Sequence, residues 1–193
     1  TAGVRVNPHS AQFELLYNPE FFGALKDEHK LGVLMHEFYH IIFEHVTKRK
    51  PVDGIRTIDN IAMDLAINGL PEMKGKLPCE GCLPGEDKFV DLPPCQTYEW
   101  YLAKLEKMQE ESKQNGEGNP FGDADSFDDH DGFGEGGGNQ AANDIARERL
   151  KEAIKKAAEE ADKASNWGSV SQSVKKEIRE RLSTKVDWKK MLR

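Results

Sequence analysis

The sequence predicts a mostly helical α+β fold, with a small sheet at the N-terminus, one helix that carries the chemistry, and further helices toward the C-terminus. Three observations predict it. Strand-like runs occur only before Asn18. The pentapeptide His36-Glu37-Phe38-Tyr39-His40 stands inside an apolar run from Leu31 to Val46. Farther on, apolar residues recur at helical steps in segments separated by Pro, Gly and Asp.

Val4–Asn7 and Gln12–Tyr17 read as short strands, separated by Pro8-His9-Ser10 and followed by the helix-starting pair Asn18-Pro19. Asp27 suits the cap of the motif helix, which is expected to run to about Thr47 before Pro51. Within it Gly32, His36, His40 and Glu44 fall on one line at steps of four. Gly32 costs about 1 kcal/mol relative to Ala. Either it makes room beside the site, for substrate or another backbone, or it serves ordinary close helix packing. A second helix is expected from about Ile58 to Leu70, closed by Gly69 and Pro71. Residues 71–95, rich in Pro, Gly and Cys, read as an irregular loop. Thr97 to about Lys113 is helical again, with Tyr98, Tyr101, Leu102, Leu105 and Met108 on one side. Repeated Gly and Asp make residues 114–138 loop or disorder. Ala141–Ala164 forms a helix with a narrow apolar stripe of Ala146, Leu150, Ile154, Ala157 and Ala161. Val170, Val174, Ile178 and Leu182 mark a last amphipathic helix. The expected organisation is one domain over residues 1–193: a core at 1–113, a flexible acidic Gly-rich loop at 114–140, and packing helices at 141–193.

At 193 residues the chain suffices for one core, or one core with an appendage. A formal net charge of -7 argues against a nucleic-acid or anionic-membrane partner. No apolar stretch approaches the roughly 20 residues of a membrane span, and no signal-peptide pattern opens the chain. Three cysteines, an odd number, and the lack of an export signal point to a reducing cytoplasm. Asp187 caps a helix that Trp188 begins and Arg193 cuts short, so a longer parent protein is expected.

On a helix, residues i and i+4 lie one above the other, which sets the imidazoles of His36 and His40 side by side. Glu37 is near enough to reach toward a metal there without binding it. This is the H-E-x-x-H arrangement of zinc peptidases, two ligands and a general base. The rival reading is a buried helix that happens to carry two histidines. Burying two imidazoles and a carboxylate is costly, which weighs against it. A catalytic zinc takes three protein ligands plus water, and the second helix offers Asp59 and Asp64. Asn60, Asp64 and Asn68 share one face, so amides one turn to either side can orient Asp64, the preferred ligand; Asp59 is the alternative. His45 is expected to face away unless the helix ends early, a polar residue near a helix C-terminus.

The segment Leu34-Met-His-Glu-Phe-Tyr-His-Ile-Ile-Phe-Glu-His45, followed by Asn60-Ile-Ala-Met-Asp-Leu-Ala-Ile-Asn68, resembles the predicted metallopeptidases found beside von Willebrand factor A-like domains in bacteria and phages. The opening Thr1-Ala-Gly-Val-Arg-Val-Asn-Pro8 with Tyr17-Asn-Pro-Glu20, and the closing Lys185-Val-Asp-Trp188 with Leu192-Arg193, look like that family too. The resemblance spans almost the whole chain apart from the Cys-bearing loop and the acidic linker. It implies a zincin-like fold, Zn2+ held by His36, His40 and Asp64, and Glu37 as a catalytic residue. It also implies a von Willebrand factor A-like domain C-terminal to the chain.

Two constellations stand apart. Cys79-Glu-Gly-Cys82 with Cys95 reads as reduced thiols, a second structural zinc site, or a disulfide. Asp123–Asp131 holds five aspartates and His130, but Phe127 occupies the first ligand position of an EF-hand, so a solvated acidic loop is expected. The resemblance extends to the Asp-Asp-His here. His130, between Phe127 and Phe133, is expected to enter the active-site cleft as a second catalytic residue, donating to the tetrahedral intermediate or capping the metal. The expected activity is hydrolysis of a protein or peptide, with the Gln12–Tyr17 strand pairing with an extended substrate. The alternatives are a metal-stabilised interaction module serving an assembly or a partner AAA ATPase, and a hydrolase for a non-peptide amide such as a cell-wall fragment.

Overall fold

The computed structural model describes residues 1–49, 56–78, 82–116, 118–121, 139–168 and 170–183. The chain opens with two short strands, β1 (Ala2–Val6) and β2 (Phe13–Tyr17), paired antiparallel with Ala2 opposite Tyr17 and Val6 opposite Phe13. The tie between them is local. The Asn7 side-chain oxygen accepts from the backbone N–H of His9 and Ser10, and Arg5 bonds Glu14 directly across the pair at 3.1 Å. The Asn7 amide, with Arg5 after it, holds the Glu14 carboxyl below its ordinary value. β1 is buried, whereas Leu15, Leu16 and Tyr17 of β2 are exposed.

Six helices follow among the described residues, and the architecture is mostly helical with a small N-terminal sheet. Asn18 caps α1 (Pro19–Ala24), accepting from the N–H groups of Glu20 and Phe21. The motif helix α2 spans Asp27–Ile42. Its cap position is Lys26; Asp27, expected there, is instead the first helical residue and pairs with Lys30 at 3.1 Å. The helix also stops five residues before Thr47. Glu44 adopts φ 58°, its N–H bonds the Ile41 carbonyl, and the His45 N–H returns to the His40 carbonyl, both at 3.0 Å. That pair of bonds around a left-handed residue is a Schellman ending. No glycine announces it.

α3 (Thr57–Asn68) is the most enclosed element: from Ile58 to Asn68 every residue but Asn60 is buried. Fully burying Met63, Leu65 and Ile67 contributes about 1.5–3 kcal/mol each, less the entropy of fixing them. α3 packs on α2 and on α4 (Tyr98–Gln114), and α2 lies against β1. Thr97 caps α4, whose Tyr98, Tyr101 and Leu105 join the core as the periodicity predicts. The described residues of the 71–95 segment, 71–78 and 82–95, are irregular apart from 3-10 turns at Pro71–Met73 and Asp87–Phe89.

Gly32 has a specific reason. A Cβ built on it would lie 2.0 Å from the Lys76 carbonyl oxygen, so the space belongs to another stretch of backbone.

The chain divides into two compact units, Thr1–Arg147 and Glu148–Arg193. The helix α5 (Gln140–Lys163) contributes Ala142 and Ala146 to the core of the first. In the second, Ala158 is buried where the expected stripe had Ala157, which is exposed. There α6 (Gln172–Leu182), capped by Ser171, buries Val174 and Ile178. Asp162 accepts from the Trp167 indole at 2.8 Å and pairs with Arg179 at 3.3 Å. Among the described residues no helix is long and apolar enough to cross a membrane.

Candidate metal centre

Where α2 crosses α3, three donor side chains converge. His36 and His40 present their Nε2 atoms 3.0 Å apart, and Asp64 Oδ1 lies 3.6 Å from the first and 3.5 Å from the second. All three residues are buried, and together they form a group that can hold a metal ion. A tetrahedral ion with bonds of about 2.0–2.1 Å places its ligands roughly 3.3 Å apart. The observed spacings bracket that value. Glu37, one residue after the first imidazole, is equally enclosed at 1% exposure.

The lone pair of His36 is fixed from behind. A backbone carbonyl can only accept, so the 3.1 Å contact from Asn68 Nδ2 to the Cys82 oxygen sets the amide's orientation. Asn68 Oδ1 then faces His36 Nδ1 at 2.9 Å and must accept from it. With the proton on Nδ1, His36 Nε2 offers a lone pair toward Asp64. Asn68 was expected to orient Asp64; the crossing of the two helices gives it to His36 instead. Asn60, the other amide expected to act on Asp64, keeps its buried side-chain oxygen without a hydrogen-bond partner among the described residues.

Asp59, the alternative ligand, is engaged elsewhere. Its carboxylate accepts from the Arg56 backbone N–H at 2.9 Å, from the Arg56 guanidinium at 2.8 and 2.9 Å, and from the Tyr98 hydroxyl at 3.3 Å. Burial pushes the Asp59 carboxyl up, but Arg56 and then Tyr98 outweigh it and hold the pKa below its ordinary value. The Tyr98 hydroxyl is pushed up to about 12, by burial first and by Asp59 next. Tyr39, within the motif, donates to Glu72 at 2.8 Å and fastens α2 to the turn at Pro71–Met73.

His45 does not face away, because α2 ends early at Ile42, the one case excepted from that expectation. The Schellman ending turns it back, fully buried, with its Nδ1 3.2 Å from His40 Nδ1. The Glu44-His45 sequence alone carried no sign of this.

A model of the family described as "Putative metallopeptidase domain" matches residues 5–193. The chain belongs to that family. An uncharacterized protein of Thermotoga maritima is 31% identical over 109 residues, a match covering 49% of this chain and 28% of the relative. The match therefore spans under a third of that relative's own length. No solved structure is significantly similar to the chain. Of the metallopeptidase-domain residues expected to carry chemistry, His36, Glu37, His40 and Asp64 are placed in or beside the centre. His130, Cys79 and the Lys185–Arg193 segment lie outside the described residues.

Proposed function

We propose that the chain is a zinc-dependent peptidase, with His36, His40 and Asp64 holding the metal and Glu37 serving as general base. The observation that carries this reading is the convergence of two imidazole nitrogens and a carboxylate oxygen at 3.0–3.6 Å in a buried site. Electron pairs brought this close, away from water, call for a cation. Two nitrogens and one oxygen are a donor set that suits zinc, with a coordination position left for water or substrate. Zinc bound there supplies Lewis acidity, activating water and polarising a scissile carbonyl.

Glu37 takes a proton from the attacking water and delivers it to the leaving amine. Its burial keeps bulk water from competing for that proton. Asn68 keeps His36 in the one tautomer that can bind a metal through Nε2. The exposed β2 supports an extended peptide as substrate, since an open strand edge offers backbone pairing without demanding a particular side chain. His130 completes the reading as the second catalytic residue; His130→Ala with unchanged zinc content and unchanged turnover would remove it.

Purified protein is expected to carry about one zinc per chain. Glu37→Gln is expected to retain that zinc and lose peptide hydrolysis by about 10²–10⁴-fold. Unaltered hydrolysis by the variant would sink the assignment.

A further inference from the structure

We infer that His45 is a positioning residue for the metal centre: its Nδ1 accepts the Nδ1 proton of His40 and so commits His40 Nε2 to the metal. This deepens the peptidase reading and rests on it.

The starting point is where His45 sits in the helix ending. In a Schellman motif the residue after the left-handed position packs back on the residue three places before the cap, usually through an apolar contact. Here those two residues are His45 and His40. The backbone bond from the His45 N–H to the His40 carbonyl draws the two side chains together, and their Nδ1 atoms meet at 3.2 Å with ring centroids 5.0 Å apart. An imidazole thus occupies a place that a leucine would fill more cheaply. His45 is 0% exposed, enclosed by His40, by Phe43 at 5.8 Å and by Tyr98 at 5.7 Å between ring centroids. Burying a polar ring this completely is unfavourable unless its nitrogen is used. The cost of φ 58° at Glu44, a non-glycine residue, runs the same way: the backbone accepts strain to aim this ring.

The proton assignment follows from what each nitrogen must do. His40 Nε2 faces His36 Nε2 and Asp64 Oδ1, so in the loaded centre it carries a lone pair and Nδ1 carries the proton. The atom 3.2 Å from His40 Nδ1 is His45 Nδ1, which must then accept that proton, leaving the His45 proton on Nε2. The two metal-binding imidazoles are therefore held by different acceptors, His36 by the Asn68 amide oxygen and His40 by a third imidazole. His45 is no fourth ligand, because it stands behind His40 on the side away from the converging donors.

The test compares two substitutions in the full chain, with zinc affinity measured by competition against a chromophoric chelator. His45→Asn can place its side-chain oxygen as an acceptor near the position of Nδ1 and is expected to stay within about threefold of wild type. His45→Phe fills the space without an acceptor and is expected to bind zinc about 10–100-fold more weakly. A purely packing role predicts the reverse order, with Phe the better replacement, and that result overturns the inference. A second measurement needs no variant: nitrogen-15 NMR of the zinc-loaded wild type should show the His40 proton on Nδ1, scalar coupling across an N–H···N bond to His45 Nδ1, and the His45 proton on Nε2. A proton on His45 Nδ1 overturns the inference while leaving the peptidase reading intact. Wild-type protein that takes up no zinc overturns that reading itself, and the inference with it.

Discussion

Asp59 and Asp64 stand five residues apart on α3, both buried, and only their company tells them apart. At the first turn Asp59 meets a guanidinium, a backbone N–H and a tyrosine hydroxyl. About one and a half turns on, Asp64 meets two imidazoles presented from another helix. The first cluster answers a charge with a fixed opposite charge from the protein, which is what a structural carboxylate needs. The second gathers two imidazoles and a carboxylate into a group that can hold a metal ion. Burial alone would have marked the two residues alike; the chemistry of the surrounding atoms separates a buttress from a candidate metal ligand.

The largest expected effect breaks the comparison most directly. Asp64→Ala should leave purified protein with little or no zinc, while Asp59→Ala keeps about one equivalent per chain, both read by elemental analysis. A reversed result would exchange the two roles. Next in size is stability. Asp59→Ala takes one carboxylate from Arg56, which keeps Glu106, and the acceptor from the Tyr98 hydroxyl. It should lower unfolding free energy by about 1–3 kcal/mol, measured by denaturant melting. In the metal-free protein, Asp64→Asn should move the same midpoint by less than Asp59→Asn does. The smallest effect is pH dependence. The folded Asp59 pKa lies below the ordinary 3.8, so the unfolded chain binds more protons in acid. The stabilisation is complete above the unfolded value and lost as pH falls through the folded one. Melting temperatures between pH 7 and pH 3 should therefore fall less steeply for Asp59→Asn than for wild type.

Sequence periodicity was enough to place α4 and α6, because each buries one apolar face and the spacing of that face survives into the fold. In contrast α3, enclosed on nearly all sides, was marked by its Gly69 and Pro71 ending. The pairing of His36 with His40 was legible for a related reason: a step of four on one helix is local geometry. Asp64 was legible through its place between two amides, although neither amide serves it as expected. What the spacing could not reveal is the crossing of α2 over α3, which hands Asn68 to His36. The early end of α2 was hidden because Glu44 takes the left-handed conformation that a glycine usually advertises. Asp59 did carry an overlooked signal. An acid at the third helical position commonly accepts the N–H of the cap residue, as it does here with Arg56.

The carbonyl of Lys76 pressed against Gly32 works like a key in the slot of a shaft. One turn before His36, it leaves α2 no freedom to roll about its own axis without a collision. Both imidazoles consequently keep their bearing before any ion arrives, and the entropy of aligning them is met during folding rather than on binding.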